Sequence, residues 1–208
     1  MFFFKILCSI VDFKIILFIL IYKMVKQNKY GEYIFADYPE FKPNLSPKKI
    51  FQAGSFGGTY WREIYSKVNK QWYKNQHKKY PKSWWVGLSD EYLTLPYEKY
   101  NKSINLYNVK VGSTLEQWED SGWIEPTHPY GWMHWYCDFY IGKRSHDDNR
   151  QIKRWLKLAG PNGRFKRALI NEIYKKNGKY NDYEISPAKR QTLLHWGYEL
   201  TLHDFNNR

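Results

Sequence analysis

Cysteine is scarce in this chain. Two occur in 208 residues, Cys8 and Cys137, too few and too far apart for a disulfide framework or a Cys-rich zinc module. A reducing, intracellular compartment is the default that follows. Long uncharged apolar runs are also missing. Residues 1–22 are rich in Phe, Ile and Leu, but Lys5, Asp12 and Lys14 interrupt them, and residues 15–22 form the longest uncharged run. A spanning helix needs about 20 apolar residues, and a charge near mid-bilayer costs about 2.5–3.5 kcal/mol. No Ala-x-Ala-like site follows, so a signal peptide is not supported. The mean hydropathy of −0.73 excludes a polytopic membrane protein. Phosphate-cradling glycine loops are lacking as well. Gly57-Gly58 has neither P-loop nor dinucleotide-fingerprint spacing, and it reads as a tight turn before Tyr60 and Trp61.

Acidic side chains are in deficit, with 20 Asp and Glu against 33 Lys and Arg, a formal charge of +13. Such a balance points to a polyanion, either nucleic acid or an acidic membrane surface. Lysine is abundant together with Asn, Ile, Tyr and Phe, the set that AT-rich coding sequence favours, so lysine alone says little. Arginine says more. Five of the eight (Arg144, Arg150, Arg154, Arg164, Arg167) fall in residues 143–179, which hold 12 Lys and Arg against 3 Asp and Glu, a net +9.

Aromatic residues are plentiful, with 10 Trp, 19 Tyr and 12 Phe, enough to build one core in a chain of this length. Trp132, Trp135, Tyr136, Phe139 and Tyr140 recur at helical spacing, and Ile152, Trp155, Leu156 and Ala159 repeat it. Arg150, Arg154 and Lys157 share the other side of the second helix. Helices are expected over 147–159 and 164–176, bracketing Gly160-Pro161-Asn162-Gly163. A break between two amphipathic helices has the general shape of a helix-turn-helix, a shape that ordinary bundles share. Ser46-Pro47 and Ser186-Pro187 each open a helix, with Ser as cap and Pro at the first position. Ser113 and Glu116 form a capping box for another. Residues 62–80 read as an exposed helix through Ile64, Val68 and Trp72, and residues 84–88 and 106–111 as a strand pair.

The expected fold is therefore mainly α (α+β). It is a compact helical domain over 46–200, with a small two-strand element around 84–111 and a helix-break-helix at 147–176. An extended arm over 24–45 precedes it and a tail over 201–208 follows. Residues 1–23 carry three readings: an extension upstream of a true start at Met24, a weak membrane anchor, or a core helix. The first is favoured, so the segment is expected to pack little against the domain. Trp132, Trp135, Trp155 and Trp196 should be largely buried.

Candidates for chemistry are few. His134 and Cys137 sit at i and i+3, two ligands where a zinc site needs three or four, and a Cys-His nucleophile pair lacks an orienting group. Asp147 and Asp148 have the residue type of metal-binding carboxylates, but they precede a helix, where acids cap and complement the dipole. No metal and no cofactor are expected. The surface with the best claim is basic: Arg150, Arg154, Lys157, Arg164, Lys166 and Arg167, a nucleic-acid-binding set for DNA or RNA. Guanidinium forks hold phosphate, and nearby rings offer stacking to bases. The alternative is an enzyme of unknown reaction on an anionic substrate, with Asp148 or Cys137 near the chemistry.

Four stretches carry a resemblance. LSPKKIFQAGSFGGTYW, YNVKVGSTLEQWEDSGWI, HPYGWMHWYCDFYIGKRSHDDNRQIKRW and SPAKRQTLLHWGYE are similar to successive blocks of an uncharacterised family found in large DNA viruses, fungi, algae and bacteria. That family's central block reads Asp-Pro-Arg-Gly-Trp-Phe-Gln-Trp-Tyr-Cys, then Leu-Gly-Arg-Arg, then Asp-Asp-x-Arg-Gln-Ile-x-Arg-Trp. The likeness spans residues 45–199 and leaves 1–23 outside. It implies a viral or cellular protein acting in cytoplasm, nucleus or virion, membrane-associated only if 1–23 insert, and it implies no activity. The block has Gln where this chain has His134, Arg where it has Tyr130, and Arg-Arg where it has Lys143-Arg144. No required role is implied for those positions.

Overall fold

The computed structural model describes residues 25–207. The readings made for residues 1–23, anchor or upstream extension, lie outside the described residues. The fold is mainly α, with seven α-helices and two two-stranded sheets among the described residues. The helices are α1 (Pro47–Gln52), α2 (Leu115–Asp120), α3 (Trp132–Tyr140), α4 (Asp148–Leu158), α5 (Arg164–Lys175), α6 (Pro187–His195) and α7 (Leu202–Asn206). The antiparallel pairs are β1 (Lys26–Gln27) with β2 (Tyr33–Ile34), and β3 (Ile64–Ser66) with β4 (Gln71–Tyr73). No helix among the described residues is long and apolar enough to cross a membrane.

Helix α3 is the centre of the core. Its N-cap, Gly131, has φ 80°, a conformation that L side chains rarely adopt. The cap is supplied from a distance: the His134 amide donates to the Tyr60 hydroxyl at 2.7 Å, which donates in turn to the Tyr130 carbonyl. One orphan amide of the first turn is thereby satisfied. Trp135, Tyr136 and Phe139 converge on Phe41, whose ring also meets Trp155 of α4. Trp132, Trp135 and Trp155 are buried, whereas Trp196 is half-buried and packs tilted against Trp132.

Phe41 belongs to the stretch read as an extended arm. That stretch forms the β1–β2 hairpin and inserts Tyr33, Phe35 and Phe41 into the core. Its rings bury too much apolar area to stay in solvent. The tail is folded in likewise. Thr201 caps α7, and Asp204 of that helix reaches Lys166 on α5. The globular unit thus includes both flanks of residues 46–200.

Two segments differ from expectation. Residues 62–80 are a hairpin followed by a 3-10 turn, not a helix. Ile64 and Ser66 point inward and Tyr65 outward, the alternation of a strand. Glu119 of α2 fixes the turn by accepting from the Ser66 hydroxyl and the Lys67 amide. The expected strand pair at 84–111 is instead a chain of 3-10 turns: Lys82–Trp84, Asp90–Tyr92, Tyr97–Lys99 and Lys102–Ile104. Gly87, Pro96, Asn101, Asn105 and Asn108 break every extended run there. The segment's backbone groups pair with the turn that Gly57 and Gly58 make: Leu95 donates to the Gly58 carbonyl at 2.9 Å and Asn101 to that of Gly57 at 3.0 Å. Gly58, at φ 80°, allows this approach, because a Cβ there would lie 2.0 Å from the Glu91 carbonyl oxygen.

Candidate nucleic-acid interface

Helix α4 turns Ile152 and Trp155 into the core and its basic side chains outward. His146, Asn149, Arg150, Lys153, Arg154 and Lys157 line one depression of about 470 Å³ on that outer face. Four of the six are Lys or Arg, and no carboxylate lines it. Lys153 and Lys157 are exposed and make no ion pair among the described residues.

The two arginines are held in place from below. The buried Asp147 carboxylate accepts two bonds from Arg150, at 2.5 and 2.8 Å, and one from Gln151 Nε2 at 2.8 Å. The bond to Asp147 raises the Arg150 pKa further. Gln151 Oε1 accepts from Arg154 at 2.9 Å, and the Arg154 guanidinium lies 5.4 Å from the centre of the Trp196 ring. Burial, then the charge of Arg150, lower the pKa of Arg154. Arg150 therefore arrives in the depression with its charge largely compensated, and Arg154 with its plane fixed.

Of the six basic residues expected to form one surface, Arg150, Arg154 and Lys157 come together. Arg164 and Arg167 are exposed at the start of α5. Lys166 is a correction: it is 7% exposed and bonds Asp204 at 2.5 Å, beneath the ring of Tyr198. Its spacing to Leu169, Ile170 and Ile173 puts it on the buried stripe of α5. Lys153 was missing from the expected set. It completes the i, i+3, i+4, i+7 series with Arg150, Arg154 and Lys157, so the same rule identifies it.

Lys166→Met is expected to lower stability by about 2–3 kcal/mol. Breaking a buried pair leaves its partner charge uncompensated, while Asp204 keeps the Tyr198 and Thr201 hydroxyls. Denaturant titration reads the loss. Because Lys166 lies outside the basic depression, polyanion binding by the folded variant should be unchanged.

A second cavity, of about 290 Å³, is lined by Thr127, His128, Trp135, Asp138, Phe139, Lys143, Arg144, Ser145 and Asp148. Its polar groups are committed to one another. Asp148 accepts from Trp135 Nε1 at 2.8 Å, from the Ser145 amide at 3.0 Å and from the Ser145 hydroxyl at 2.8 Å. Burial would raise the Asp138 carboxyl, but bonds from His128 and Lys143 hold it well below the usual range. Arg144 is bound by Asp37 and by the Phe139 carbonyl. Cys137 does not line this cavity. It is fully buried, and burial pushes its thiol far up, which removes it as a thiolate nucleophile. No three His, Cys, Asp or Glu side chains among the described residues are grouped to share a metal ion.

Comparison with family models, with curated proteins and with solved structures finds no match.

Proposed function

We propose that this chain binds nucleic acid, DNA or RNA, through the basic depression on α4. The observation that carries the reading is the lining itself: Arg150, Lys153, Arg154 and Lys157 side by side, with no carboxylate among the lining residues. A polyphosphate backbone matches such a surface in charge. The fixed Arg154 guanidinium supplies planar hydrogen-bonding geometry, and the free lysines supply mobile charge. Contacts of this kind go to phosphate, so affinity falls steeply with salt and depends little on sequence. The partner would be met in cytoplasm, nucleus or virion.

Lys153→Gln/Lys157→Gln tests the reading without touching the Asp147 network. On labelled duplex, the slope of log K against log salt should become shallower by about 1.8, since each lost phosphate contact removes about 0.9. Unchanged affinity and slope in the folded double variant, or no binding by the native chain at low salt, overturns the proposal.

A further inference from the structure

The depression on α4 ends against a loop, residues 121–126, that carries an exposed ring. Arg150 reaches the Trp123 carbonyl at 3.4–3.5 Å, and His146 lies 3.4 Å from Glu125. Ile124 is buried and pins the loop, while the Trp123 side chain turns outward at 49% exposure and has no ring partner among the described residues. The far side of the same loop holds the β3–β4 hairpin, where Asn69 Nδ2 donates to the Pro126 carbonyl at 2.7 Å. That hairpin exposes a second aromatic surface. Trp72 is 65% exposed and pairs across the strands with Tyr65, their ring centres 5.5 Å apart. Lys67, Val68, Lys70 and Lys74, in the turn and at the end of the same hairpin, are exposed, with Lys67 bonded to Asp120.

The adjoining Trp72 and Tyr65 rings make a contiguous exposed apolar surface, the kind of patch that marks an interaction site. Trp123, whose carbonyl faces Arg150, and Pro126, whose carbonyl accepts from Asn69 in the hairpin turn, are three residues apart, at most about 11 Å along the backbone, so one short loop joins the end of the groove to the hairpin that carries the rings. We infer that the ligand is single-stranded nucleic acid: its phosphates lie along α4, and its unpaired bases stack on Trp123 and on the Trp72–Tyr65 pair. A base paired in a duplex presents only its edge, whereas an unpaired base presents the face that a ring can cover. The inference rests on the α4 reading and names the form of nucleic acid that it takes.

The test uses the full chain and three labelled oligonucleotides of equal length: oligo-dT, a duplex, and an abasic strand with the same phosphates and no bases. Oligo-dT should bind at least about ten-fold tighter than the abasic strand, the range expected of one or two stacked bases. Trp72→Ala/Trp123→Ala should remove that preference and leave duplex binding and its salt slope as they were. Trp72→Phe/Trp123→Phe should restore most of it. If oligo-dT and the abasic strand bind alike, or if the alanine variant keeps the preference, stacking is wrong while the groove stands on its duplex binding and lysine-dependent slope. If no oligonucleotide binds at low salt, the groove fails and the inference falls with it.

Discussion

Trp135→Ala should cost about 4–6 kcal/mol, a large loss for a single truncation. Two effects combine. The indole is 1% exposed and packed among Phe41, Trp132, Tyr136 and Phe139, so its removal leaves a cavity that rigid rings cannot close. A cavity of that kind costs about 3–5 kcal/mol. The indole is also a donor to Asp148, which is itself buried. Leaving a buried carboxylate one bond short adds about 1–3 kcal/mol, part of which a water entering the cavity offsets. Domains of this size are stable by only about 5–15 kcal/mol, so the variant should sit near its unfolding threshold. Trp135→Phe separates the two effects: it keeps most of the volume and loses the donor, and should cost about 1–3 kcal/mol. A phenylalanine variant as unstable as the alanine one would show that the Asp148 bond, not the packing, dominates. Equilibrium denaturation monitored by circular dichroism measures both.

The same pair explains why the aromatic and acidic blocks read so clearly in the sequence. Each residue of the Asp-Asp-x-Arg-Gln-Ile-x-Arg-Trp pattern has an assigned place. Asp147 binds Arg150 and Gln151, Gln151 binds Arg154, Asp148 binds Trp135 and Ser145, and Ile152 and Trp155 enter the core. Local periodicity suffices to place α3 to α6, although no side chain caps any of the four and the α3 start is held by Tyr60 from far along the chain. The capping box of α2 was legible to within one residue. Ser113 and Glu116 satisfy the pattern, but Thr114 and Gln117 form the bonds. With Thr114 as cap, Leu115 turns inward.

Residues 62–111 were not legible, and for a common reason. Their structure is decided by partners far along the chain. Ile64, Val68 and Trp72 mimic a helical stripe, yet only Ile64 is buried, and the hairpin turn is held by Glu119 from more than fifty positions away. The 3-10 chain that follows exists because Gly57 and Gly58 offer their carbonyls to it. For the basic surface, the half that follows helical spacing on α4 was readable. Lys166 was not separated from its neighbours Arg164 and Arg167, because charge count hides which face a side chain occupies. Its spacing to Leu169, Ile170 and Ile173 carried that information. The rings at Trp72 and Trp123 had no signal at all: nothing local tells an exposed tryptophan from a buried one.

His134 should make the fold acid-labile well above the carboxylate range. Its imidazole is 5% exposed among Trp61, Tyr80, Tyr130 and His128. Burial first, then the neighbouring His128, lower its pKa to about 3; Lys79 and Lys143 act in the same direction and Asp138 opposes them. An unfolded histidine titrates near 6.5. Between about pH 6.5 and about pH 3 the unfolded chain therefore holds a proton that the folded chain refuses. The histidine's neutral burial is without penalty above pH 6.5, and stability falls as pH drops below it, by about 1.4 kcal/mol per pH unit. His195, stacked on Phe56 and also held to about 3 by burial, adds to the slope in the same direction. Asp138 and Asp204 carry depressed carboxyls, whose contribution is lost only as pH falls below about 4. The window from pH 4.5 to 6 thus isolates the histidines. There the native chain should take up more than one proton on unfolding, with His77, whose pKa burial also lowers, adding to the slope, and His134→Gln should take up one fewer. Glutamine is uncharged and close in size to the imidazole, so the variant should fold at pH 7. A His134→Gln chain with the native slope between pH 4.5 and 6 would mean that the imidazole is protonated in the folded state, with Asp138 rather than burial deciding its charge.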